Sequence, residues 1–382
     1  MKRIVFLDYV RVFACFLVML VHACECYYGG PGSTMENPLS MVETEADRFW
    51  VSLYDGFSRM AVPLFMIVSA FLLVPMKEGQ GAGKFYKKRA LRILPPFFIF
   101  MILYCTVPFF TNEIDGETSA HFLSRLFLNF PDTAGHLWFI YPLIGLYLFI
   151  PIISPWLAKV SAKEERFFII LFAVSTCIPY LNRFSGDVWG QCFWNQFHTL
   201  WYFSGYLGYL VVAHYIRVHL DWDVKKRLVV GSIMTVVGAV WTILSFYIQA
   251  EPGLVISTPV LEIGWSFCTV NVLILTAGAF LLFTCIKKEQ TPRLILQLSE
   301  LSYGMYLMHI FWLGLWAGLF KGEMELPTGL AIPVMAVATF VSCWVSTLLI
   351  SYLPGGKWVV GTSSMAFSKF LPQVRGDVQR GS

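Results

Sequence analysis

Charge is scarce in this sequence. Only 14% of its 382 residues are Asp, Glu, Lys or Arg, where a soluble globular domain carries roughly 25%. That shortage excludes an ordinary water-soluble fold, and length says little about domain count because nearly every stretch long enough to fold is itself apolar. Metal signatures are missing: CxxC, HExxH and His-x-His are all absent, so no metal is expected. No P-loop or GxGxxG opens a helix, which leaves nucleotide hydrolysis without support, and no GxSxG nucleophile elbow occurs. Internal repeats, low-complexity stretches and an extra soluble domain are lacking too. The net charge of +4 is spread over short loops rather than clustered, so it reports topology and not nucleic-acid binding. Most of the nine cysteines fall in apolar segments, where buried thiols are ordinary. Cys24, Cys26 and Cys192 lie nearer the outer ends, and nothing in the sequence supports a disulfide among them.

What the chain has is hydrophobicity, 57% of residues, with aromatics at 17%. Apolar runs of spanning length appear at residues 5–27, 57–75, 93–111, 136–153, 166–181, 196–214, 228–249, 259–285, 299–319 and 329–352. The expected fold is all-α, a polytopic membrane helical bundle of about ten transmembrane helices over residues 1–355, followed by a tail over 356–382. The fifth run is short, and the eighth is long enough to be tilted or kinked. Lys2 and Arg3 resemble the start of a signal peptide. The run behind them carries Asp8, Arg11 and His22 with no small-x-small cleavage site, so it reads as a retained first helix. Cytoplasmic loops carry the excess of Lys and Arg. With the N-terminus inside, most of the 28 basic residues fall on inner segments, which makes both termini and the tail cytoplasmic. The longest outer loops, 28–56 and 112–135, carry acids such as Glu36, Asp47 and Asp115 and read as solvated connections.

Arg11 and His22 stand eleven positions apart in the first run. Eleven steps of about 100° return to within roughly 20° of one helix face, about 16 Å along the axis. Ionisable groups at bilayer depth cost about 2.5–3.5 kcal/mol on insertion scales and usually face a protein interior or a water-filled cavity. Taken singly, the Arg reads equally well as snorkelling to the inner interface and the His as anchored at the outer one. Taken together on one face, they mark a polar path. A neutral imidazole accepts a proton from a hydroxyl near pH 7, which suits general-base catalysis. Glu25, three residues on, either orients that imidazole or is an exposed residue at the helix end.

Further polar residues punctuate the other runs. Arg59 stands at the outer end of the second, and Ser69 in mid-membrane, where a hydroxyl often bonds back to its own helix. Arg89 and Arg92 share a face at the cytoplasmic boundary. Two guanidinium forks suit phosphate, although the positive-inside rule alone predicts basic residues there. The fourth run opens with His136, Trp138 and Tyr141; an aromatic belt explains Trp and Tyr without function, but not the histidine. His309 lies near mid-depth of the ninth run, where packing through a hydrogen bond to a neighbouring helix is expected.

The segments LDYVRVFACFLVMLVHA, SRMAVPLFMIVSAFLL, KKRALRILPPFF, HLWFIYPLIGLYLFIP and LSYGMYLMHIFW, in that order, resemble the membrane-bound acyltransferase-3 family. They look most like its stand-alone O-acetyltransferases of bacterial surface polysaccharides, such as enterobacterial common antigen, and the likeness runs from about residue 5 to residue 350. Ser69-Ala70-Phe71 replaces the family's usual Ser-Gly-Phe or Ser-Gly-Tyr, and Met305 stands where Ile is usual. The resemblance implies transfer of acetyl from cytoplasmic acetyl-CoA to a hydroxyl of an extracytoplasmic sugar, by a multi-pass enzyme of the bacterial inner membrane. Carried over, His22 matches the catalytic histidine, Arg11 the donor-side arginine, and Arg89 and Arg92 the pair that meets coenzyme A. Arg59, Ser69, His136, Trp138, Tyr141 and His309 are candidates for the substrate pocket. The implied partners are acyl-CoA, a glycan or lipid-linked sugar acceptor and the bilayer, with direct transfer or an acetyl-histidine route and a homo-oligomer all left open. Some family members carry a fused extracytoplasmic hydrolase-like domain; none is read here, so direct delivery or a separate partner is expected. The rival reading is a transporter or flippase using Arg11 and His22 without covalent chemistry, but no matching broken helices appear in two halves.

Overall fold

The computed structural model describes residues 3–34 and 36–362. Its helices are α1 (Val5–Glu25), α2 (Glu45–Ser58), α3 (Ala61–Leu73), α4 (Ala82–Phe110), α5 (Gly116–Ser124), α6 (Ile140–Leu157), α7 (Ala162–Ser175), α8 (Ile178–Ser185), α9 (Tyr206–Val218), α10 (Val224–Tyr247), α11 (Thr258–Leu261), α12 (Val270–Phe283), α13 (Arg293–Ala317), α14 (Thr328–Tyr352) and α15 (Gly356–Val360). Two-residue strands, Leu39–Ser40 and Ile256–Ser257, pair antiparallel and tie two connections together. Lys2 and residues 363–382 of the expected tail lie outside the described residues.

Among the described residues, nine helical segments are long and apolar enough to cross a membrane, and the fold is an all-α polytopic bundle. α1 is built of Val, Leu, Phe and Ala without Gly or Pro, and Asp8 in its first turn complements the helix dipole. It runs through the middle of the bundle, packed by α2, α3, α13 and α14. By contrast, α10 buries only 22% of its apolar window and turns the rest outward.

The expected boundaries shift in three places. Residues 28–56 are not all connection: a capping box between Thr44 and Asp47 starts α2, which joins α3 in one spanning unit, Glu45–Leu73. Asp47, Arg48 and Asp55 dilute its hydropathy and hide it. The run 259–285 is broken between Trp265 and Val270. The run 196–214 is not one continuous helix, because α9 has 13 residues, about 20 Å of rise against a core of about 30 Å. Arg217, near its C-terminal end, donates to the Phe71 and Val74 carbonyls at 2.7 and 3.2 Å. The ring of Tyr206, at its start, lies 6.4 Å from that of Trp138. A 3-10 turn at Trp201–Phe203 precedes it, joined through Gly205 at φ +76°, a conformation that suits glycine. This pass is therefore made by a broken helix.

Both ends of the described chain meet at one end of the bundle. Arg3 donates to Glu300 at 2.7 Å, the Tyr303 hydroxyl donates to the Ile93 carbonyl at 2.9 Å, and α15 packs against α4 and α13. Val360 there is fully buried. That end carries Arg89 and Arg92 and is the basic end of the bundle.

Candidate functional site

Two cavities lie along α1. The first, about 290 Å³, opens at the basic end and is lined by Arg11, Ser69, Arg89, Arg92, Tyr147 and Glu300, among others. The second, about 190 Å³, is lined by His22, Glu25, Arg59, His136, Trp138 and Glu262. Phe65, Phe139 and Tyr306 line both. Their rings stand 6.2 Å (Phe65–Phe139) and 5.9 Å (Phe139–Tyr306) apart, centroid to centroid. An aromatic collar therefore separates the cavities, with Arg11 on one side and His22 on the other.

In the basic cavity Arg92 is exposed and Arg89 half-buried, with the Arg89 guanidinium 5.7 Å from the Phe85 ring. Asp8, buried one turn before Arg11, organises this wall. It accepts from Arg3 at 2.6 and 2.7 Å, a bidentate pair, and from Thr291 and Ser299 at 2.8 Å each. Arg11 lies 3.7 Å from the same carboxylate. Fully occupied by these donors, Asp8 holds the cationic side chains without adding a free negative charge to the cavity.

In the second cavity Nδ1 of His22 lies 2.6 Å from Oε2 of Glu25. A carboxylate accepts, so Nδ1 carries a proton, and in the neutral ring Nε2 keeps its lone pair. His309 lies 5.0 Å from His22 and 4.9 Å from His136, ring to ring, and His22 lies 6.3 Å from His136. His309 donates Nδ1–H to the Tyr306 carbonyl of its own helix at 2.5 Å, not to a neighbouring helix as expected, because i−3 carbonyls lie within reach of its ring. Both ring nitrogens of His136 are buried without a partner, and its backbone carbonyl accepts from the Tyr306 hydroxyl. Arg59, 4% exposed, is gripped by Asp55 through two contacts of 2.7 Å. It also meets the Tyr28 hydroxyl at 3.1 Å and Glu262 at 3.5 Å, and stacks 4.3 Å over Trp265.

Of the residues singled out from sequence, Arg11, Ser69, Arg89 and Arg92 meet at the first cavity, and His22, Glu25, Arg59, His136 and Trp138 at the second. His309 stands behind the second, against both histidine rings. Tyr141 lines neither: it packs beside Phe97 and Phe130. Phe139, which caps the start of α6, and Leu143 and Tyr147 within it line the first cavity at steps of four, and Tyr141 sits about 200° round from Phe139. The sequence reading missed Asp8, Tyr28, Asp55, Glu262 and the collar. Asp55 and Arg59 at i and i+4 were a legible pair, whereas Glu262 reaches Arg59 across 203 positions. All nine cysteines are free.

A family model described as an acyltransferase domain matches residues 4–352. No curated protein and no solved structure matches the chain.

Proposed function

The chain belongs to the acyltransferase-3 family, and on that premise we propose that it moves acetyl from cytoplasmic acetyl-CoA to a hydroxyl of an extracytoplasmic sugar or cell-surface glycan, in the bacterial inner membrane. The observation that carries this reading is the pair of cavities meeting at one aromatic collar, cationic on one side and holding a carboxylate-bound imidazole on the other. Coenzyme A is a polyanion with a long, thin arm. Its phosphates rest on Arg89 and Arg92, bidentate anion forks at the basic end. The arm passes Arg11 and brings the thioester through the collar toward His22.

The acceptor enters from the opposite end. His22 Nε2 takes the proton of the acceptor hydroxyl as its oxygen attacks the thioester carbonyl. The carbon–sulfur bond breaks, and the leaving thiolate takes the proton back from the imidazolium. Glu25 fixes the tautomer and stabilises the imidazolium, the arrangement that lets a histidine act as base and then acid.

The test is purified protein in detergent with radiolabelled acetyl-CoA and a glycan acceptor, comparing wild type with His22→Ala and Arg89→Ala. Transfer by wild type that falls by about 10²–10⁴-fold in His22→Ala supports general-base catalysis. Unaltered transfer in that variant overturns it. Acceptor flux across vesicles without coenzyme A binding would instead identify a transporter.

A further inference from the structure

Outside the lining of both cavities, Glu165 in the first turn of α7 meets His214 near the end of α9 and His219 just beyond it. We propose that these three side chains bind a divalent transition-metal cation of the zinc type, stapling α7 to α9.

Glu165 is completely buried, and its ion-pair partners are imidazoles: Nδ1 of His214 at 2.9 Å, a hydrogen bond to Oε1 whose proton a metal would displace, and Nε2 of His219 at 3.1 Å. No Lys or Arg among the described residues pairs with this carboxylate. A buried carboxylate without a compensating cation is costly. The second observation concerns alignment. Oε2 of Glu165 and Nε2 of His219 are near each other, yet both are buried atoms without a hydrogen bond. A carboxylate oxygen and a ring nitrogen 3.1 Å apart and out of line for a hydrogen bond are disposed as two ligands of one metal ion would be. One ligand atom from each of the three residues lies within 4.8 Å of the others. Small side-chain shifts would bring all three to the ~2.0–2.2 Å bonds of a zinc site.

Two imidazoles and one carboxylate suit zinc and its transition-metal neighbours rather than calcium or magnesium, which prefer all-oxygen shells. The His219 side chain is 19% exposed, which leaves an entry path and an open position for water. None of the three lines either cavity, so the ion is structural. α7 lies toward the outside of the bundle and α9 packs on α3 within it. A cation shared by both would secure the outer helix to the inner one.

The test uses the full chain with its affinity tag removed, purified without chelator, and metal content measured by mass spectrometry. About one equivalent of metal per chain is expected, lost from Glu165→Gln and from His219→Gln. The His219 site is at the rim, so that variant is expected to keep its elution profile even if Glu165→Gln fails to fold. Cobalt substitution should give the visible absorption of a low-coordinate N/O site, and chelator should lower the apparent Tm of wild type but not of His219→Gln. A metal-free wild type that binds neither added zinc nor cobalt would overturn the proposal and leave a proton shared among the three side chains. Metal retained in both variants would overturn it equally.

Discussion

Nδ1 of His22 lies 2.6 Å from Oε2 of Glu25, one turn along α1. The carboxylate can only accept, so the contact assigns a proton to Nδ1 and, in the neutral ring, leaves the lone pair at Nε2. Arg59, Asp55 and Glu262 satisfy one another nearby. Glu25 is therefore the carboxylate committed to the imidazole.

Replacing Glu25 should separate orientation from charge. In Glu25→Gln an amide oxygen still accepts from Nδ1–H, but the charge that stabilises the imidazolium is gone. Glu25→Ala removes both. Acetyl-transfer rates at saturating donor should fall in the order Gln, then Ala, then His22→Ala, the last by about 10²–10⁴-fold. KM for acyl-CoA should hardly change, because Arg89 and Arg92 are untouched. Equal rates for Glu25→Ala and wild type would reduce Glu25 to a helix-end residue.

Asp8 makes a different prediction, about donor binding. Four donors converge on its buried carboxylate, so Asp8→Asn turns an amide N–H toward Arg3 and frees Arg11. Leaving buried partners unsatisfied costs about 1–3 kcal/mol. The apparent Tm should drop, and KM for acyl-CoA should rise more than kcat falls. The kinetic split distinguishes positioning of the arginines from a general loss of stability.

The collar predicts a block. Phe65 touches both cavities and faces Phe139 at 6.2 Å, so the larger ring of Phe65→Trp fills the passage between them. Coenzyme A binding, measured by calorimetry, should survive, while acetyl transfer should fall at least tenfold, the loss that ~1.4 kcal/mol in the barrier produces. Transfer at the wild-type rate would show that the acyl group does not pass there.

Much of this site was legible because it is written along single helices. The spacing of Arg11 and His22 placed two polar groups on one face at different depths, and they line two cavities that share the collar residues Phe65, Phe139 and Tyr306. Arg89 and Arg92 were adjacent on one turn and remain together. Contacts between distant segments were not legible. Glu262 lies inside the expected run 259–285 with its partner 203 positions away, and the collar joins α3, the start of α6 and α13 through residues that look like ordinary apolar core. Windowed hydropathy failed at α2, where Asp47 and Asp55 are buried against protein, and at α9, where a glycine break shortens a run that reads as one span. The ligands Glu165 and His214 lie 49 positions apart, beyond any local metal signature.

Glycine at the α10–α12 interface gives the last prediction. A Cβ on Gly238 would stand 2.5 Å from the backbone nitrogen of Leu275 and 2.7 Å from its Cα; one on Gly278 would stand 2.6 Å from the Thr235 nitrogen. Small residues let helix backbones approach in a membrane, where dispersion and not water drives association. Gly238→Ala sets two effects against each other. Helix propensity favours alanine by about 0.8–1.0 kcal/mol, while overpacking typically costs about 1–3 kcal/mol. The clashing atoms are backbone and cannot rotate away, so the clash should win and the apparent Tm in detergent should fall, further in Gly238→Val. Val236 on the same helix is 61% exposed, so Val236→Leu should leave Tm unchanged. A Gly238→Ala protein as stable as wild type would mean that α10 and α12 are free to separate.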